Sequence, residues 1–152
     1  MRPFAPATFA LTLLIGAPPL LAGGPDVFIE DAWSRASIGT SRPGVAYMTL
    51  RNTGAEPVVV TGLRTDLARM PMIHATTTDA QGVTRMSHLD EVEIAAGEAV
   101  ALEPGGLHVM LMDLQRPMVE GESYTLSVIF ADGTEATVEV PILGIAARGP
   151  AG

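Results

Sequence analysis

From residue 27 onward the chain reads as short runs of apolar and polar positions separated by turn residues. The runs are "VFIEDAW" (27–33), "VAYMTLRN" (45–52), "PVVVTGL" (57–63), "MPMIHATT" (70–77), "VTRMSHL" (83–89), "VEI" (92–94), "EAVALE" (98–103), "LHVML" (107–111), "SYTLSVIF" (123–130) and "EATVEV" (135–140). Between them lie "SIGTSRPG", "TGAE", "DAQG", "AAG", "PGG" and "ADGT", and the Asp132-Gly133 pair in the last is a strong hairpin signal. After residue 24 no stretch of about 12 residues keeps a period of 3.6, so no amphipathic helix is expected. Turn signals about every ten residues predict an all-β domain, a sandwich or a Greek-key barrel.

On a strand, side chains two apart share a face. Leu107, Val109 and Leu111 are therefore expected to face a core, and His108 and Met110 the opposite side. The same logic joins Met70, Met72 and His74, with Pro71, Ile73 and Ala75 facing the other way.

The first 22 residues break the β pattern. They hold one charge, Arg2, then an apolar run with Pro18 and Pro19 before small residues. Basic start, apolar middle and small-residue end describe a secretory signal peptide. A retained transmembrane helix is the competing reading, disfavoured by the late prolines and by the lack of a basic stop beyond them. The expected organisation is a signal peptide over 1–22, a β-sandwich domain over 23–145 and a flexible tail over 146–152. No membrane span is expected after cleavage.

Composition narrows the function. The formal net charge is −8, with nine Lys and Arg in the whole chain scattered singly, and −9 once Arg2 is removed. Neutralising phosphates needs clustered basic residues, so no nucleic-acid partner is expected. The chain has no cysteine. An exported domain of this kind has no disulfide to staple it and must rely on its core. Thiolate metal sites, thiol nucleophiles and blue-copper centres are excluded as well. With no G-x-S-x-G and no H-E-x-x-H, nothing points to an enzyme.

Each of the three histidines lies two residues from a methionine: "MIH" (72–74), "MSH" (86–88) and "HVM" (108–110). Thioethers favour Cu(I) and imidazole binds copper readily. Two imidazoles and two thioethers are neutral, so a buried Cu(I) site keeps a single positive charge, whereas Cu(II) would strand two. Zinc would call for thiolates, carboxylates or more histidines. Met48, Met118 and Met112 read as flexible core fillers.

The residues that carry this chemistry resemble a known family. "DAWSRAS" and "GVAYMTLRNTG" are similar to the opening strands of the periplasmic copper chaperones of the PCu(A)C type, and "EGESYTLSVIFADGT" to their closing hairpin. "MIHATTTDAQGVTRM" followed by "LEPGGLHVMLMDL" resembles the family's metal motif: a histidine, a methionine about ten residues on, then His-x-Met after twenty-one more. Twenty-one residues separate Met86 from His108, and eleven separate His74 from Met86. The resemblance covers the whole region after the leader. It implies a cupredoxin-like Greek-key β-sandwich, Cu(I) as the bound metal, and His74, Met86, His108 and Met110 as ligands. Met70, Met72 and His88 are candidates for supplementary ligands. The tail lacks the extra His and Met that some family members carry.

The implied role is non-enzymatic. A monomer in the periplasm would carry Cu(I) to the Cu(A) centre of cytochrome c oxidase, with that oxidase subunit and another periplasmic copper protein as partners. Copper storage or resistance, and an exported β-sandwich binding module without metal, are the alternatives.

Overall fold

Alternating side chains need a strand that shows one face to a core and the other to solvent, and the chain meets that need ten times. The computed structural model describes residues 26–150; the expected leader lies outside the described residues. In chain order the strands are β1 (Val27–Arg35), β2 (Gly44–Asn52), β3 (Val58–Arg64), β4 (Ala68–Thr78), β5 (Thr84–Leu89), β6 (Val92–Ile94), β7 (Ala99–Leu102), β8 (Leu107–Leu114), β9 (Ser123–Phe130) and β10 (Glu135–Leu143). Every run read from the sequence becomes a strand. Among the described residues there is no helix, and so none long and apolar enough to cross a membrane.

The strands follow the order β5-β4-β8-β7-β2-β1-β10-β9-β3-β6. The first six and the last four form the two layers of a sandwich, joined where β1 runs parallel to β10 at Ser34–Ile142 and Arg35–Leu143. Strands distant in sequence lie side by side, as Greek-key connections require. One apolar cluster holds the layers together: Met48, Leu50, Val109 and Leu111 from one meet Val60, Ile94, Leu126, Val128 and Phe130 from the other. The fold is thus an all-β sandwich.

Local chemistry fixes the connections. At the β9–β10 hairpin Gly133 takes φ +86°, a conformation open to glycine. Thr134 donates from its backbone N–H and its hydroxyl to the Asp132 carboxylate (2.9 and 2.6 Å), which holds that carboxyl below its ordinary range. The fully buried Asn52 donates to the carbonyls of Glu56 and Ile94 and accepts from the Gly54 N–H, tying β2 to the layer opposite. After β10, Arg35 Nε donates to the Ala147 carbonyl at 2.7 Å.

Candidate metal centre

β8 behaves as its alternation predicts. Val109 and Leu111 are fully buried in the core and Leu107 packs against it, so His108 and Met110 are turned to the outer face. The strand begins just after the "PGG" turn, where Gly105 takes φ +85° and the Gly106 N–H donates to the Glu103 carbonyl.

Register decides what His108 meets. β8 runs antiparallel to β4 with His74 opposite His108, Met72 opposite Met110 and Met70 opposite Met112. β4 in turn pairs with β5, the end strand of its layer, with His74 opposite His88 and Thr76 opposite Met86. The three histidines thus form one row across three strands, each outer ring centroid 5.9 Å from that of His74 and nearly perpendicular to it. Met110 lies one rung to one side of the row. Met86 lies one rung to the other side, 61% exposed.

The hydrogen-bond inventory of His74 and His108 is incomplete. His108 is 5% exposed; its Nδ1 faces the Gly106 carbonyl at 3.2 Å, while Nε2 is buried without a partner. A neutral imidazole beside a carbonyl carries its proton on the facing nitrogen, which leaves the Nε2 lone pair free. His74 shows the same pattern with its nitrogens exchanged: Nε2 lies 3.3 Å from the Met72 sulfur, and Nδ1 is buried without a partner. Buried polar atoms are almost always paired. Two orphaned ring nitrogens on facing histidines, with thioethers on either side, fit a soft cation.

Charge favours the same occupant. Desolvation first, then the His108 and His88 rings, hold the His74 pKa below 6.5, so this imidazole stays neutral and able to donate a lone pair. His88 differs from its neighbours. Its Nε2 already meets the Asp90 carboxylate at 3.0 Å, and the side chain is 46% exposed. Among the described residues no three His, Asp or Glu side chains converge as a cage for a harder ion.

All four ligands expected from the sequence therefore lie on one face of β5-β4-β8. Met70, Met72 and His88 share it, His88 in the histidine row and the methionines beyond it. Met48 and Met118 are core residues, 2% and 1% exposed. Met112 corrects the expectation: it is half-buried, outside the core cluster, and directly opposite Met70. The sequence held a signal for this. "MPMIH" (70–74) and "HVMLM" (108–112) are mirror images in their His and Met positions, so antiparallel pairing sets like against like.

Comparison with known proteins agrees with this architecture. Residues 27–142 match the family model described as "Putative lipoprotein LpqE-like". The chain is 31% identical over 116 residues to "Putative lipoprotein Lxx21020" of Leifsonia xyli subsp. xyli, covering 76% of this chain and 69% of that one. It is 28% identical over 127 residues to the uncharacterized protein RP573 of Rickettsia prowazekii, covering 81% and 70%. Among solved structures, the solution structure of CuI-DR1885 from Deinococcus radiodurans is 32% identical, with a TM-score of 0.58 over 80% of this chain and 83% of that one. The copper-bound PCuAC domain from PmoF2 superposes with a TM-score of 0.65 at 22% identity, over 78% and 93%. The chain belongs to the LpqE-like lipoprotein family, and its fold is the cupredoxin-like β-sandwich of PCuAC domains.

Proposed function

We propose that this protein is a periplasmic, non-enzymatic carrier of Cu(I) that binds the ion through His74, Met86, His108 and Met110 and delivers it to the Cu(A) centre of cytochrome c oxidase. The observation that carries the binding reading is the pair of orphaned nitrogens, His74 Nδ1 and His108 Nε2, on facing residues of adjacent strands. Two neutral imidazoles with two thioethers suit a monovalent soft ion in an oxidising compartment, where thiols would be lost to disulfides. The copper-bound PCuAC domain from PmoF2 and CuI-DR1885 support the choice of metal, and the Cu(I) form of DR1885 supports its oxidation state.

The geometry also suits a carrier. His108 and His74 supply a partly dry nitrogen pair, while Met86 stands at the solvent on an end strand of the layer. An acceptor can displace the exposed thioether first and take over the ion ligand by ligand. The lipoprotein names of the family model and of the Leifsonia relative favour export, as does the leader-like start of the sequence.

The test has two stages. Cu(I) competition against a chromogenic chelator measures binding; a His108→Ala, Met110→Ala double variant that binds as tightly as the parent overturns the site. Mixing the Cu(I)-loaded protein with an isolated Cu(A) domain then measures delivery. Copper that binds but stays in place overturns delivery and leaves a storage role.

A further inference from the structure

The face that holds the histidine row carries more sulfur than one copper centre uses. Beyond the His74–His108 rung, β4 and β8 pair Met72 with Met110 and then Met70 with Met112. Residues directly opposite on antiparallel strands hold their Cβ atoms about 4.5–5.5 Å apart, and successive rungs on one face are about 7 Å apart. A methionine side chain turns about three single bonds and can sweep its sulfur across such gaps.

Core filling does not account for these residues. Met70 is 51% exposed and Met72 and Met112 are half-buried, whereas the true fillers Met48 and Met118 are almost fully enclosed. Solvent-facing strand positions ordinarily favour β-branched or polar side chains, and unbranched thioethers in facing pairs gain little there from packing. The ladder also runs past the end of β5. Pairing of β5 with β4 starts only at Ile73–Leu89, and Pro71, which has no N–H to offer, occupies the stretch left without that neighbour. The Met72 sulfur, 3.3 Å from His74 Nε2, links the ladder to the histidines.

We propose that Met70, Met72 and Met112 form a second, weaker site for a soft monovalent cation, Cu(I) or its redox-inert stand-in Ag(I), in a three-thioether shell beside the histidine centre. The proposal rests on the reading of His74 and His108 as the primary centre. The site gives an ion a staging position one rung from that centre.

Ag(I) titration of the full-length protein, followed through 13C-labelled methionine methyls and histidine ring signals, tests it. The first equivalent should move the His74, His108, Met86 and Met110 signals; the second should move those of Met70, Met72 and Met112. In a Met70→Leu, Met112→Leu variant, which keeps side-chain volume nearly constant, the second stage should vanish. Its first-stage affinity should stay within about threefold of the parent. Ladder methyls that remain still through the second equivalent, or a second stage that survives in the variant, overturn this proposal alone. Histidine signals that never move overturn the primary centre and the staging site together.

Discussion

His108→Leu separates a ligand from a structural histidine, because the two roles predict opposite signs. Burying Nε2 without a partner costs the apo protein roughly 1–3 kcal/mol, and a leucine of similar reach removes that cost. The variant also loses the contact from Nδ1 to the Gly106 carbonyl, worth about 0.5–1.5 kcal/mol. That carbonyl is not orphaned, since the Thr76 N–H also donates to it at 3.2 Å. The balance is an apo protein more stable by about 1 kcal/mol, seen as a rise of roughly 2–5 °C in Tm for a domain of this size.

With copper the order reverses. Free Cu(I) held at about a hundred times its Kd adds roughly 2.7 kcal/mol to the parent and little to the variant. Thermal unfolding followed by circular dichroism, with and without buffered Cu(I), reads both numbers in one experiment. A variant clearly less stable than the parent in the apo state would show that His108 supports the fold. A variant still stabilised by copper to the parental extent would remove it from the ligand set. Either result refutes the reasoning.

Three further outcomes follow from the same geometry. Met110→Leu should weaken Cu(I) binding at least about tenfold in chelator competition, equivalent to 1.4 kcal/mol, and more than Met86→Leu does, because Met86 is 61% exposed and water competes at that position. Because the folded His74 pKa lies below 6.5, the unfolded chain takes up more protons in the window beneath that value. Apo stability should therefore be constant above about pH 6.5 and fall as pH drops through the His74 transition, with copper affinity declining over the same range; denaturant melts and competition titrations that are flat down to about pH 5 would contradict this. Leu111→Ala, at a fully buried position on the core face of β8, should cost about 2–5 kcal/mol in urea unfolding through the cavity it leaves.

Much of this protein was legible in its residues because strand periodicity is a local property. The alternation in "LHVML" put Val109 and Leu111 inward, and both are fully buried; His108, on the other face, is buried as well at 5% exposed, beside His74 of β4, which alternation alone does not predict. Asp132-Gly133 marked its hairpin for an equally local reason, the positive φ of Gly133. Methionine was harder to place by type alone. Met48, Met112 and Met118 look alike in sequence, yet Met48 and Met118 are core while Met112 is not, because a flexible apolar side chain suits both settings.

By itself the sequence determined the all-β class, the two faces of β4 and β8, and the soft, neutral donor set of histidines and methionines without cysteine. Only the tertiary structure decided which donors meet. Pairing β4 between β5 and β8 lined His88, His74 and His108 into one row and set Met70 against Met112. It also buried His74 Nδ1 and His108 Nε2 without partners. The physical reason is that a strand's period fixes which way a side chain points, whereas its neighbours depend on register across strands distant in the chain.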